Sequence, residues 1–171
     1  CKNKTYRGVV LQNLQYFYSW IPKWIEKNIF PLLRGENDRN FYWRCFLSVT
    51  ENGQRIKDVL DTFLMIVNDF RSEPWWEKIC LIHLFNLGLY EKNAKVKRCA
   101  RFKLREVLET SMYASTLMNW LMKEEASSVV SQKKYYTFFF DVFSCKVYEK
   151  VDAGEVIKFV FYFKRGADAI L

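Results

Sequence analysis

The chain has 171 residues and a formal net charge of +8, and half of its residues are hydrophobic. A chain of this length can bury enough apolar surface for one core, and this composition excludes a disordered protein. We therefore expect a single domain over residues 1–171. The basic excess favours an acidic partner such as nucleic acid, an anionic polysaccharide or an acidic protein surface.

The length of the apolar runs and the first residues of the chain bear on localisation. No apolar run approaches the roughly 20 residues that a membrane-spanning helix needs, which predicts a soluble chain without membrane insertion. The sequence begins at Cys1 without Met and without a charged-then-apolar leader. We expect either a fragment or a chain whose signal peptide has been removed.

In the first half of the chain, apolar residues recur at intervals of three or four and predict helices. The first runs from Tyr6 to Ile21, and a second begins at Pro22 and ends at the turn-rich residues 35–38. Residues 41–49 are expected to form a short helix or an ordered loop. The clearest period spans Ile56–Phe70, which predicts a helix.

Pro74 suits the first turn of the next helix. The apolar spacing of that helix places His83 on its apolar stripe. Val96–Leu108 predicts another helix, with Arg98, Arg101 and Arg105 facing outward on the side opposite its apolar stripe. Met112–Met122 has the same amphipathic pattern. Glu124–Gln132 is polar and small, and we expect a loop there.

The last forty residues allow two interpretations. Tyr135–Val151 and Val156–Phe163 are rich in aromatic and β-branched residues, so a hairpin turning at 152–154 is one alternative. Helical spacing of the aromatics and a capping-box-like pair, Asp152 with Glu155, favour two helices instead. The second interpretation is preferred.

Residues able to carry catalysis are scarce. His83 is the only histidine, and the five cysteines form no C-x-x-C pair, so no zinc site of ordinary spacing is expected. No phosphate-binding loop, nucleophile elbow or zinc-protease motif occurs. The sequence predicts a protein that is not an enzyme and that has no metal or cofactor.

Two surface features suggest partners. Arg98, Arg101 and Arg105 form a basic helix face that could contact a polyanion, although the sequence shows no aromatic residues interleaved on it for base stacking. Asn3 opens the only N-x-S/T sequon and is the predicted glycosylation site, which agrees with secretion.

Several segments resemble those of a type I interferon, the helical antiviral cytokine family. Cys1 and Cys99 stand where that family has its first cysteine and the cysteine after the third long helix. Residues 59–70, then Trp75-Trp76, are similar to its V-L-x-x-x-x-x-I-x-x-x-F helix and following Trp. Lys134-Tyr135-Tyr136 and Ala153–Lys158 are similar to its Lys-Tyr-Phe and Ala-Trp-Glu-Val-Val-Arg motifs, with Gly154 in place of Trp.

The resemblance implies an all-α, up-up-down-down helical bundle with long crossover loops. It also implies a Cys1–Cys99 disulfide, whose loop of nearly a hundred residues would stabilise the fold by roughly 4 to 5 kcal/mol in the entropic model. Asp152 replaces a cysteine of the family's second disulfide, and Cys45 with Cys145 could form a different bridge.

The resemblance further implies secretion and binding of two cell-surface receptor chains, which starts antiviral kinase signalling. The family's receptor-binding segments correspond here to Asp38 and Arg39, and to Lys158, Phe159 and Tyr162. The alternative is an intracellular, HEAT-like or bundle-like helical scaffold fragment that binds protein or nucleic acid through the basic helix face. The oxidation state of the cysteines separates the two hypotheses.

Overall fold

The computed structural model describes residues 3–127, 132–154 and 156–158, and these residues contain helices and no strand. Eleven α-helices and one 3₁₀ helix have bounds within this part of the chain: α1 Lys4–Gln12, α2 Leu14–Trp20, α3 Pro22–Asn28, α4 Phe30–Arg34, α5 Arg39–Leu47, the 3₁₀ helix Thr50–Val59, α6 Leu60–Asp69, α7 Pro74–Tyr90, α8 Ala94–Leu108, α9 Ala114–Ser127, α10 Gln132–Val142 and α11 Cys145–Tyr148. The predicted all-α class is confirmed for these residues.

The chain divides into two compact units, residues 1–83 and residues 84–171. The boundary falls inside α7, so this helix contributes residues to both units. The predicted single domain over 1–171 stays a prediction, because a shared helix is compatible with either one domain or two.

In the first unit, α1 packs against α5. The approach is close because Gly8 has no side chain: a Cβ there would lie 3.1 Å from both Cys45 Sγ and the ring of Phe41. Val10, Leu11 and Leu14 bury their side chains in the core of the unit. The predicted helix Tyr6–Ile21 is interrupted at Asn13, whose Nδ2 donates to the Val9 carbonyl at 2.9 Å and ends α1.

The core of this unit centres on Trp43 of α5, which is fully buried. Its ring lies 5.3 Å from that of Phe46 and 5.7 Å from that of Phe63 in α6. The predicted helix Ile56–Phe70 is α-helical only from Leu60, because residues 50–59 adopt the tighter 3₁₀ form. Residues 41–49, expected as a helix or loop, belong largely to α5.

In the second unit, α8 and α9 pack against α10. The rings of Phe85 and Phe138 meet edge to face at 5.2 Å, and Trp120 lies 6.4 Å from Phe85. α9 continues to Ser127, so the loop predicted from Glu124 is wrong over 124–127. The apolar positions Leu117, Met118 and Leu121 are buried and support this helix.

The described part of the C-terminal region is helical, as the preferred interpretation predicted. Tyr135 lies in α10, and α11 follows two residues after its end. Asp152 begins a further helical segment: its Oδ1 accepts from the Gly154 amide at 2.8 Å, and its carbonyl accepts from the Val156 amide at 3.1 Å. A hairpin turn at 152–154 is therefore wrong, and residues 159–163 lie outside the described residues.

Candidate functional site

An open depression lies at the start of α5, where the predicted receptor-binding residues Asp38 and Arg39 are found. It is lined by residues of the turn 35–38, by the first residues of α5 and by the last residue of α6. These are Glu36, Asp38, Arg39, Asn40, Phe41 and Asp69. The turn 35–38 ends α4 and delivers these side chains to the first turn of α5. All of this site lies within the first unit.

Asp38 has the left-handed backbone conformation, with φ 55°, and no other non-glycine residue in the described chain has a positive φ. Aspartate tolerates this region better than most residues because its short side chain bonds locally. Here the carboxylate pairs with Lys4 Nζ of α1 and does not cap its own helix. The Lys4 ammonium also lies 4.6 Å from the centre of the Phe41 ring. These contacts attach the turn to α1.

Arg39 is held by Asp69, the last residue of α6, with Nη2 2.7 Å from Oδ2. Its side chain is only 24% exposed, so part of it remains reachable from solvent while Nη2 is engaged. No local sequence pattern pairs these residues, because they are thirty positions apart. The ion pair fixes the N-terminus of α5 against the C-terminus of α6.

The charge of the depression is acidic. Glu36, Asp38 and Asp69 supply three carboxylates against two cations, the guanidinium of Arg39 and the Lys4 ammonium that pairs with Asp38. No group of three His, Cys, Asp or Glu residues in the described ranges is arranged to hold a metal ion. The geometry suits recognition of a charged partner surface, since these ion-paired side chains remain partly reachable from solvent.

The second predicted receptor-binding segment lies in the other unit. Lys158 is exposed in the helical segment that begins at Asp152. Phe159 and Tyr162 lie outside the described residues, so their role as receptor contacts stays a prediction.

The basic face predicted on α8 is only partly present. Arg98 is exposed and Arg105 is half-buried, but Arg101 is 7% exposed, so its predicted outward orientation is wrong. Arg101 turns inward because its Nε donates to the Gly88 carbonyl at 2.7 Å and its Nη1 pairs with Asp141. The expectation that no aromatic residue is interleaved on this face is wrong, because Phe102 is 60% exposed and its ring centre lies 5.4 Å from the Arg105 guanidinium.

His83 and Cys80 are both buried in α7. Burial lowers the pKa of His83 to about 4, against the opposing effect of a hydrogen bond with the Leu47 backbone. Burial, with a smaller contribution from Glu77, raises the pKa of the Cys80 thiol to about 12. At neutral pH His83 is therefore a neutral imidazole and Cys80 a protonated thiol. An activated cysteine nucleophile needs a thiolate, so this state is unsuited to nucleophilic catalysis.

Among the described residues, Cys45, Cys80 and Cys99 form no disulfide with one another. Cys1 lies outside the described residues, and the side chain of Cys145 is among those not described, so the pairings Cys1–Cys99 and Cys45–Cys145 stay predictions. Desolvation raises the pKa of Cys45, an effect that Lys4 partly opposes. Cys99 is half-buried in α8.

Asn3, the predicted glycosylation site, is exposed and caps α1. Its Oδ1 accepts from the Thr5 amide at 2.9 Å and from the Tyr6 amide at 3.3 Å. A side-chain oxygen at this position satisfies backbone donors that the first helical turn leaves open. The sequon is therefore on the surface at a helix start.

Comparison with known proteins gives no relative: no family model, curated protein or solved structure matches the chain. None of the helices in the described ranges has the length and apolar character needed to cross a membrane. Asp38 and Arg39 were predicted from the interferon resemblance. Glu36 and Asp69 were not predicted as site residues, although the position of Glu36 in the same turn as Asp38 is a signal that could have indicated it.

Proposed function

We propose that the protein is a secreted, interferon-like helical cytokine that binds a two-chain cell-surface receptor and triggers antiviral signalling of the JAK/STAT type. The fold proposed with it is the up-up-down-down bundle. The single observation that supports this proposal best is the depression at the start of α5. It presents Asp38 and Arg39 together at the surface, where the resemblance expects a receptor contact.

The rigidity of this depression favours a binding role. Lys4 holds Asp38 from α1, and Asp69 holds Arg39 from α6. Side chains that are already ordered lose less conformational entropy when a partner binds, which leaves more of the contact energy for affinity. An ordered charged turn of this kind is suited to protein recognition.

The charge of the depression indicates what the receptor should offer. The depression holds three carboxylates, two of them already paired with Lys4 and Arg39, so a receptor surface that offers groups of both signs, including a carboxylate for Arg39, is complementary. Long-range attraction of the rest of this basic chain to an acidic membrane-proximal surface would act on the association rate and would weaken with salt.

Signalling variants test the proposal directly. Arg39→Glu and Lys158→Glu should each lower the potency of STAT phosphorylation in responsive cells by about tenfold or more, the range of an interface hot spot. Lys57→Glu is the matched control, because Lys57 is an exposed lysine of the same unit that does not line the depression. Equal potency of all three variants and the wild type would contradict the site assignment.

A charge-exchange variant separates receptor binding from structural stabilisation. Arg39→Glu also places a carboxylate beside Asp69, so it removes an ion pair. Arg39→Asp combined with Asp69→Arg restores an ion pair in the reverse sense. The exchange should recover thermal stability and still signal poorly. Recovered signalling would show that Arg39 is needed only for the fold.

Peptide mapping under non-reducing conditions tests the secreted state. A Cys1–Cys99 linkage in protein purified from culture medium supports the cytokine, whereas five free thiols after oxidative folding would count against it.

For the alternative, an intracellular helical scaffold fragment, one observation is favourable and one is unfavourable. The exposed Phe102, with the Arg105 guanidinium over its ring and Arg98 four positions earlier on α8, provides an aromatic platform that nucleic acid or an acidic peptide could use. The burial of Arg101 removes the central cation of that face. A salt-dependent oligonucleotide-binding measurement on Phe102→Ala tests it.

A further inference from the structure

The first three helices expose an unusual amount of apolar surface. Trp20 is 72% exposed and Tyr16 is 61% exposed, and of the thirteen large hydrophobic residues exposed in the described chain, six lie between residues 6 and 24. We name the aromatic–basic surface by its exposed members Tyr6, Val9, Tyr16, Trp20, Ile21, Lys23, Trp24 and Lys27. Exposed apolar residues that concentrate in this way mark an interaction surface more often than isolated ones do.

Contacts within the surface join its parts. The rings of Tyr16 and Trp20 lie 5.7 Å apart on α2. The Ile21 carbonyl, at the junction of α2 and α3, accepts from the Trp24 amide at 3.1 Å. Trp24 of α3 and Tyr6 of α1 line the same shallow depression. The aromatic residues therefore form two contacting groups in one unit, Tyr16 with Trp20 on α2 and Tyr6 with Trp24 across α1 and α3, and the α2–α3 junction at Ile21 joins the two groups in the chain.

The charge of this region is strongly positive. Residues 3–34 contain five basic residues and one acidic residue, Glu26. Lys23 and Lys27 are exposed one helical turn apart on α3, beside Trp24. Glu26 accepts a hydrogen bond from the Tyr18 hydroxyl at 2.5 Å, so the acidic group is directed toward α2. The two lysines, together with Arg7 in the depression that Tyr6 and Trp24 line, are thus cations that flank the exposed aromatics.

We propose that the aromatic–basic surface binds an anionic lipid bilayer and lies at its interface. Tryptophan and tyrosine favour the boundary between headgroups and acyl chains, because one end of each ring system is apolar and the other is polar. Lysine side chains beside them extend their stems along the apolar layer and place their ammonium groups among acidic headgroups. The surface supplies both components.

Two other occupants fit the same surface less well. A single-stranded nucleic acid would use the rings for stacking, but the exposed aliphatic residues Val9 and Ile21 give a base no stacking partner. A second copy of the chain would bring two positively charged surfaces together in a symmetric contact, which like-charge repulsion opposes. A lipid interface takes up aromatic, aliphatic and basic groups together.

The short helices suit binding on the bilayer and not across it. α2 and α3 have seven residues each, and no helix of the described ranges could span a membrane. An amphipathic segment that lies in the interface buries its apolar side chains about 5–10 Å deep. This inference goes beyond the receptor role and does not depend on it, because it concerns lipid alone.

Sedimentation with sucrose-loaded vesicles tests the inference on the full chain. We expect binding to phosphatidylcholine vesicles that contain 30% phosphatidylserine, and at least tenfold weaker binding to pure phosphatidylcholine. Trp20→Ala with Ile21→Ser should weaken the first by about tenfold, since two exposed apolar side chains no longer reach the acyl layer. Lys23→Gln with Lys27→Gln should weaken it by roughly fivefold per lysine.

Matched control variants show whether the loss of any exposed aromatic residue or any lysine, wherever it lies, weakens vesicle binding. Trp75 is 68% exposed in the same unit but lies outside the surface, so Trp75→Ala should leave vesicle binding unchanged. Lys92→Gln with Lys95→Gln removes two exposed lysines elsewhere and should have less than a twofold effect. Helicity measured by circular dichroism must match the wild type for each comparison.

Several results would overturn the inference. These are equal binding of the wild type to neutral and anionic vesicles, undiminished binding of both surface variants, or equal losses in the control variants. Tight binding of oligonucleotide or heparin with no vesicle binding would assign the surface to a soluble polyanion. A dimer in light scattering that Trp20→Ala dissociates, with no vesicle binding, would assign it to self-association.

Discussion

Arg101 and Asp141 form an ion pair inside the second unit, with Nη1 2.6 Å from Oδ2. The arginine side chain is 9% exposed and the aspartate side chain is half exposed. The same guanidinium donates through Nε to the Gly88 carbonyl and lies 5.4 Å from the centre of the Phe138 ring. One side chain of α8 therefore connects α7 with α10.

Replacing Arg101 should destabilise the protein substantially. Arg101→Ala leaves the buried Gly88 carbonyl without this donor and removes the packing of the side chain, which we expect to cost about 2 to 4 kcal/mol. Arg98→Ala is the control, because Arg98 is exposed on the same helix and should change the free energy of unfolding by less than about 0.5 kcal/mol. Urea unfolding measures both. Equal free energies for the two variants would contradict the buried role.

Gly88 should not tolerate a methyl group. In an open helix Gly→Ala stabilises by up to about 1 kcal/mol, but a Cβ at residue 88 would lie 2.9 Å from Phe138 Cε2 and 3.2 Å from Arg101 Cγ. The ring of Phe138 is fully buried, so it has little room to move. We expect Gly88→Ala to cost about 1 to 3 kcal/mol in thermal or urea unfolding.

A double-mutant cycle identifies the cause of that loss. In a Phe138→Leu background the alanine at residue 88 should cost less, because the smaller side chain relieves the close contact. Additive effects of the two substitutions would show that the contact with the ring does not limit residue 88.

His83 should make stability depend on pH. Its pKa is about 4 in the folded protein and is close to 6.5 in the unfolded chain, so the unfolded state binds a proton first as the pH falls. Above pH 6.5 the residue contributes nothing. Between pH 7 and pH 5 it should remove about 2 kcal/mol of stability, with the loss complete below pH 4.

The control for this pH effect is His83→Gln, which has no proton to gain. Its free energy of unfolding, followed by urea titration at pH 7, 6 and 5, should fall less steeply than that of the wild type. Parallel profiles for the two proteins would show that the folded pKa is not depressed.

The helical class and most helix positions could be predicted from the sequence, because apolar spacing reports which face of a segment is buried. The break at Asn13 could not, since the apolar period continues through it and no local pattern indicates the bond from Asn13 Nδ2 to the Val9 carbonyl. The 3₁₀ form of residues 56–59 could not be predicted either, because α-helices and 3₁₀ helices bury similar positions.

The candidate site shows a similar division. A turn at 35–38 follows from its residue types, and so does the charge of Arg39. The pairing of Arg39 with Asp69 depends on how α5 and α6 pack, and no local pattern contains that information. Arg101 illustrates the converse: helical phase alone assigned it to the surface, whereas a long side chain can turn inward when a carbonyl and a carboxylate accept from it.

Trp43 should be critical for the position of the candidate site. Its indole Nε1 donates to the Leu33 carbonyl at 2.9 Å, and this bond holds α5 against α4 on either side of the turn that carries Asp38. Trp43→Phe removes the donor, leaves a buried carbonyl unpaired and opens space between Phe46 and Phe63. We expect a cost of about 2 to 4 kcal/mol in urea unfolding. Trp75→Phe, at a largely exposed tryptophan of the same unit, should cost less than about 0.5 kcal/mol. If the two variants lose equal stability, the hydrogen bond and packing of Trp43 do not position α5.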